Sequence, residues 1–434
     1  MEQNYSGALE RSLDETRQTM LRLVRDEATQ RGLPLYIVGG SVRDLLLGRR
    51  LNDFDLTVEG DAIALASSLA AKHGGEVTAH KKFGTAKWFL PPHLTPEHLT
   101  PFDTPFGRRA APDTSTPDTL DLISARSETY KHPAALPTVK PGSLTDDLRR
   151  RDFTINALAI RLDGTHFGEL RDDLTGMQDL EKGILRALHS GSFIDDPTRM
   201  YRAVRYEGRY EFRIEEDTLA LIPGACPFVE KLSAQRIRHE LDLILDEPNA
   251  VSMLRRLDEL DLLAPIHPLL ATFSQSKLVA LKSDDPALQN RNSRWVLWLM
   301  HLTEQEIERL NERLHFRADL LKILRSASLL NANLTVLVGL KPSQAVELLE
   351  GYSFKALEVV SGAVQDKEIK NILTRYLSEW WLVRPKTTGH DLKRLGIPSG
   401  PKYTEILRRL RAAWLDGEVK TEEGEKALLG RLLN

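Results

Sequence analysis

The segment LNDFDLTVEG, residues 51–60, sets the strongest constraint on this chain. Asp53 and Asp55 stand two residues apart with Phe54 between them, and the β-favouring run LTV follows. In a strand, residues i and i+2 point to the same face, so the two carboxylates sit side by side and repel each other. A strand keeps such a pair only where something positive holds it. Upstream, LYIVGG reads as a short buried strand, and SVRDLLLG as a short helix stopped by Gly48. Backbone N–H groups at Gly39, Gly40 and Ser41, at the mouth of that helix, suit a phosphate. Two carboxylates beside a phosphate cradle are what Mg²⁺ requires when it binds through carboxylates and nucleotide phosphates together. A turn or a helix cap is the ordinary reading of an isolated DFD, but no Gly or Pro flanks this one. Asp121, in the strand-like run TLDLIS, is either a third acidic group near the metal or a partner for Arg126.

At 434 residues the chain exceeds one ordinary core. Its single cysteine, Cys226, excludes a disulfide framework within the chain and cysteine-rich zinc sites, and fits a reducing cytosol. No signal peptide and no apolar run long enough to cross a bilayer is evident, so a soluble, cytoplasmic protein with no membrane partner is expected. EVTAH, TAKWFL, TLDLISAR and LAIRL complete the strand candidates, DAIALASSLAAKHG reads as a capped helix, and residues 8–31 read as one amphipathic helix. The proline-dense stretch 91–118 reads as a long loop or insertion. From about residue 170 helical periodicity takes over: one α/β head precedes a long helical remainder. Net charge is only −3, yet basic residues bunch at 146–153, 199–213 and 406–414, which suits either a local nucleic-acid surface or solvated helix faces, and charge alone does not decide between them.

In DPTRMYRAVRY, Asp196, Arg199, Arg202 and Arg205 recur every third residue, stepping back roughly 60° each time around a helix. An acceptor and a donor one turn apart match the Watson–Crick edges of cytosine and adenine, which show an amine beside a ring nitrogen; guanine and uracil present the opposite order. The remaining arginines suit triphosphate oxygens. A surface salt-bridge ladder is the bland alternative. A dinucleotide-binding reading fails on spacing, because GGSVRD is not G-x-G-x-x-G.

Taken in order, VGGSVRDLLLGRRLNDFDLTVEG, DLISARSETY, DLRRRDFTINALAI, DDLTGMQDLEKGILRAL, FIDDPTRMYRAVRYEGRYEF and SAQRIRHELDLIL resemble the motifs of class II tRNA nucleotidyltransferases, the bacterial CCA-adding and A-adding enzymes related to bacterial poly(A) polymerases. The resemblance is close over residues 33–246 and resumes more loosely at 388–419. It implies an α+β protein with a polymerase-β-like nucleotidyltransferase head, residues 1–165, followed by all-helical neck (166–248), body (249–385) and tail (386–434) domains. It also implies tRNA 3′-end extension from CTP and ATP with release of pyrophosphate.

On that resemblance Asp53 and Asp55 hold Mg²⁺, and Gly40 and Arg43 meet the triphosphate. Arg150 or Arg151, with Arg202 and Arg205, also contact the nucleotide; Gly39, Asp152 and Asn156 support these groups. Asp196 and Arg199 read the base. Two departures stand out. Asp195 replaces the family's glutamate before Asp196, and the 91–118 segment is longer than usual. Residues 130–147 occupy the place of the flexible loop that accompanies A addition in the family. The neighbouring readings are a poly(A) polymerase and an RNA-binding protein that has lost catalysis.

Overall fold

The computed structural model describes residues 4–49, 51, 55–94, 119–271 and 288–433, so Asp53 and most of the 91–118 segment lie outside the described residues. Two compact units divide the chain, Met1–Leu232 and Ser233–Asn434.

In the first unit the strands are β1 (Leu35–Val38), β2 (Asp55–Val58), β3 (Glu76–His80), β4 (Thr85–Phe89), β5 (Thr119–Ser124), β6 (Arg126–Thr129), β7 (Thr138–Pro141), β8 (Ala159–Arg161), β9 (Leu170–Arg171), β10 (Ile184–Leu185) and β11 (Arg213–Ile214). Seven of them form one mixed sheet in the order β3-β4-β5-β2-β1-β8-β9. The β2/β5 pairing is parallel, and its flanking pairings are antiparallel. The helices are α1 (Ser6–Ser12), α2 (Glu15–Gln30), α3 (Gly40–Leu46), α4 (Ala62–His73), α5 (Leu144–Arg149), α6 (Gly176–Lys182), α7 (Ser192–Asp195), α8 (Thr198–Tyr210), α9 (Glu216–Leu219) and α10 (Ile222–Ala225).

All four residues of β1 are buried, which explains why LYIV is a continuous apolar run and not an alternating one. One cluster joins Tyr36 and Val38 to Leu144, Leu148, Ala157 and Ala159. Helix α4 packs on β4 and β5, and α2 packs on α4. Between the two helices Glu27, 5% exposed, receives Lys72, Arg31 and Ser68. Burial pushes its carboxyl up, but those three donors prevail and hold it at about 2.

Two local expectations change. The helix expected over 8–31 is two helices, because Leu13 is extended and Asp14 accepts the Arg17 N–H at 2.8 Å, starting α2 afresh. The segment 130–147 is not loop throughout: β7 pairs antiparallel with β6, and Ser143 and Asp146 form a capping box that starts α5. The signal, Ser with an acid three residues on, stands in the sequence. The head and the first part of the expected neck, residues 166–232, fall within one unit, and residues 233–248 belong to the other. The bridge between Phe153 and Ala187 and the edge-on contact of Phe153 with Tyr206, 5.9 Å between centroids, tie the residues beyond 166 to the sheet domain.

The second unit is helical: α11 (Ala234–Asp246), α12 (Ala250–Glu259), α13 (Arg291–Leu299), α14 (Glu304–Leu314), α15 (Ala318–Asn333), α16 (Pro342–Leu349), α17 (Phe354–Ala363), α18 (Lys367–Ser378), α19 (Gly389–Arg394), α20 (Pro401–Leu415) and α21 (Glu422–Leu433). Trp295 and Trp298 stack at 5.2 Å in its interior, and Trp295 Nε1 donates to Asp242 at 2.7 Å, so the buried indole is satisfied. Leu392, Ile406, Leu410, Ala413, Val419, Leu428 and Leu429 form a separate core among the last helices. Among the described residues no helix is long and apolar enough to cross a membrane.

Candidate active site

Strand β1 ends at Val38, and the chain then turns through Gly39 into α3. Gly39 has φ +69°, and a Cβ added there would lie 2.2 Å from Arg151 Nη1, so only glycine lets that guanidinium cross the turn. The Gly39 N–H donates to Leu158 O at 2.9 Å, so it is not available to a phosphate as expected. Arg151 is steered by Asp147, which accepts from its Nη2 at 2.8 Å. Asp147 is fully buried and also accepts from Arg150 Nε and Nη2. The DDLRRRD spacing, acid followed by arginine three and four residues on, was a readable signal for this hub. Burial pushes the Asp147 carboxyl up, but Arg151 and Arg150 outweigh it and keep it below the usual carboxylate range.

Arg43, 5% exposed, points into the unit from α3. A chain of side-chain hydrogen bonds starts there: Arg43 Nη1 donates to Asn156 Oδ1 at 2.6 Å, Asn156 Nδ2 to Asp152 Oδ1 at 2.8 Å, and Arg202 Nε to Asp152 Oδ2 at 2.7 Å. Tyr210 and Tyr206 stack on the Arg43 guanidinium at 4.4 and 5.2 Å. Burial pushes Asp152 up, but the Arg202 charge and the hydrogen bonds from Asn156 and Arg202 hold its carboxyl at about 2. Asp152 and Asn156 thus link two cations from different helices, Arg43 of α3 and Arg202 of α8. Tyr206 and Tyr210 gave no signal in the sequence, because aromatic residues at helical spacing read as ordinary core.

Asp196 does not share the helix with the arginines. It is extended (φ −139°, ψ 95°) because Pro197 follows and disfavours the helical conformation before it. Its Oδ1 accepts the Thr198 N–H at 3.0 Å and the Thr198 hydroxyl at 2.6 Å. Arg199, 6% exposed, donates from Nη1 to the Ser192 hydroxyl and from Nη2 to the Arg150 carbonyl, both at 2.7 Å. Arg205 is buried with its guanidinium 4.9 Å from the Tyr206 ring. Asp195 Oδ2 lies 3.9 Å from His189 Nε2, and burial together with Arg199 pushes the His189 pKa down against Asp195.

The β6–β7 ribbon reaches the same place. Glu128 accepts from Arg126, Arg150 and Tyr130, and the Ala134 N–H bonds Ile194 O at 3.3 Å. Burial, with Glu128 and Asp196 acting against Arg199, pushes the Tyr130 phenol up to about 12. Glu128 carried no sequence signal.

Asp55 opens β2, where it is in register with Asp121 of β5. Asp121 pairs with Lys87 of β4 at 3.3 Å and not with Arg126, whose guanidinium goes to Glu128 and to Phe83 O. Strand register decides this, since Lys87 is the residue directly opposite Asp121. Among the described residues no group of three or more His, Cys, Asp and Glu side chains is placed to hold a metal.

Replacing Gly39 by alanine is expected to unfold the turn locally, because positive φ and the clash with Arg151 act together. The expected cost is about 1–3 kcal/mol of stability, with a raised KM for nucleotide as Arg151 is displaced. Thermal melts and nucleotide titration of the variant check it.

The family profile described as "Poly A polymerase head domain" matches residues 35–186, and "Probable RNA and SrmB- binding site of polymerase A" matches residues 211–273. An A-adding tRNA nucleotidyltransferase of Halalkalibacterium halodurans is 32% identical over 93% of this chain and 90% of its own length. The chain belongs to the tRNA nucleotidyltransferase family. Another member, the A-adding tRNA nucleotidyltransferase of Geobacter sulfurreducens, is 35% identical over 95% of this chain, which spans only 47% of that longer protein. Among solved structures, the Thermotoga maritima CCA-adding enzyme complexed with tRNA superposes with a TM-score of 0.78 at 28% identity, covering 100% of this chain and 99% of that one. The nucleotidyltransferase family uses divalent metal ions.

Proposed function

We propose that the protein extends the 3′ end of tRNA, adding the terminal A from ATP or building CCA from CTP and ATP, with release of pyrophosphate and with Mg²⁺ as the metal. The observation that carries this is the kinship with an A-adding enzyme along nearly the whole of both chains.

Asp53 and Asp55 are the proposed ligands, and a donor set of carboxylate oxygens with Asp121 in register beside Asp55 suits a hard cation such as Mg²⁺. When bound, the metal would lower the pKa of the attacking 3′-hydroxyl and neutralise charge developing on the phosphates. The rest is done by the chain's own groups. Arg151 over Gly39, with Arg150 and Arg202, brings to the triphosphate guanidinium charge whose positions Asp147 and Asp152 hold, and Arg43 and Arg205 add theirs. Such fixed donors act without reorganising as the leaving pyrophosphate gains charge. Asp196, just before α8, and Arg199, in its first turn, read the base, an acceptor and a donor each braced by the protein. The neck, body and tail, residues 166–248, 249–385 and 386–434, engage the RNA mainly through phosphates and shape.

Incubating the pure protein with tRNA transcripts ending before CCA, or after CC, with ATP and CTP supplied separately, tests the reading. One AMP added to the CC end alone identifies terminal A addition, and stepwise CCA identifies the fuller activity. An unlimited run of A on any RNA end identifies a poly(A) polymerase instead, and binding without transfer an inactive RNA-binding protein.

A further inference from the structure

Ser192 is fully buried at the first position of α7, and nothing in the sequence marks it as functional. Its hydroxyl accepts from Arg199 Nη1 at 2.7 Å, while the Arg150 carbonyl accepts from Arg199 Nη2 at the same distance. The two acceptors come from different parts of the chain, α7 and the end of α5, and each holds a different nitrogen of one planar group. A guanidinium held at both Nη atoms cannot turn about its Cδ–Nε bond without breaking one hydrogen bond, so its other donors keep a fixed direction. Ser192 also braces the second reader, since its carbonyl accepts the Asp196 N–H at 3.2 Å. One small residue thus touches both members of the acceptor and donor pair.

We infer that Ser192 is a specificity-determining positioning residue: its hydroxyl, with the Arg150 carbonyl, sets the plane in which Arg199 meets the base of the incoming nucleotide. This rests on the base-reading role proposed above for Arg199. Discrimination between bases depends on donors that cannot swing to suit the wrong edge, because a buried donor left unpaired by the wrong base penalises that base. An Arg199 released at Nη1 can turn toward the carbonyl acceptors of guanine and uracil, and the penalty falls. The Arg150 carbonyl alone leaves rotation about its own hydrogen bond available.

The experiment compares incorporation of ATP, CTP, GTP and UTP on tRNA transcripts by Ser192→Ala, Ser192→Cys and Arg199→Ala, below the melting temperature of each. The readout is the ratio of kcat/KM for the accepted nucleotide over GTP and UTP, in which a general loss of activity cancels. Ser192→Ala is expected to lower that ratio about tenfold, the effect of freeing one hydrogen bond to a charged group. Ser192→Cys refills the volume with a weak acceptor and is expected to show the same defect, separating the hydrogen bond from a cavity. If Arg199→Ala collapses discrimination while both Ser192 variants keep the wild-type ratio, with or without a lowered melting temperature, the inference is overturned and the base-reading role of Arg199 stands. If Arg199→Ala itself leaves base choice unchanged, that role fails and the inference falls with it.

Discussion

Asp55→Ala is expected to lower nucleotide transfer by on the order of a thousandfold or more, which is what losing a metal-held stabilisation of several kcal/mol implies. Asp53→Ala is expected to do the same. Asp55 opens β2 in register with Asp121 of β5, and alanine keeps that backbone pairing, so without divalent ion the melting temperature of Asp55→Ala should stay close to that of the wild type. With Mg²⁺ added, only the wild type should gain stability, because a ligand that binds only the folded state stabilises it by mass action. Quenched-flow transfer assays and melts with and without Mg²⁺ read both arms. Transfer surviving in either variant would show that these acids are not the metal site.

Asp152→Asn carries the second large effect. The wild-type carboxylate is 6% exposed and bonds Asn156 and Arg202 at once. Removing its charge takes a charge-assisted hydrogen bond from the part-exposed Arg202, a change that costs about 1.5–3 kcal/mol. Because Asn156 in turn holds Arg43, two of the cations proposed to meet the triphosphate loosen together, and the KM for nucleotide should rise more than tenfold, since guanidinium contacts to anions are worth about 1.5–3 kcal/mol each. The pH dependence supplies an independent check. A carboxyl held at about 2 in the folded protein against an ordinary 3.8 stabilises the fold by about 2 kcal/mol above pH 3.8. That contribution is lost as pH falls from about 4 toward 2. Denaturant unfolding measured across this range should show a steeper acid limb for the wild type than for Asp152→Asn. Parallel limbs would mean that Asp152 titrates in the ordinary range.

Where the sequence spoke clearly, it did so through local chemistry. LYIV followed by two glycines had to become a buried strand entering a helix, since a run apolar on both faces and a φ of +69° at Gly39 leave few other solutions. The arginine-rich run at 198–210 had to be a helix with one charged stripe. The break within 8–31 has a local reason also: apolar periodicity runs through Asp14, and only the preference of aspartate for a cap interrupts the helix there.

Partner choice is a different matter. Nothing in the order of residues says that Asp121 pairs with Lys87 and not with Arg126; strand register places Lys87 opposite it. Nothing says that Asp196 braces Thr198 while Arg199 turns back to Ser192 and to a carbonyl 49 residues earlier. Those pairings join groups distant in sequence, and a buried charge takes whichever opposite charge or acceptor the packed backbone brings within about 3 Å. The residue types that can bind a nucleotide are therefore written in the chain, through periodicity and turn chemistry that act over a few residues. Which of them face the nucleotide, and which hold the others still, is decided only when the sheet and the α8 helix close on each other, because desolvation makes every unpaired charge there too costly to leave.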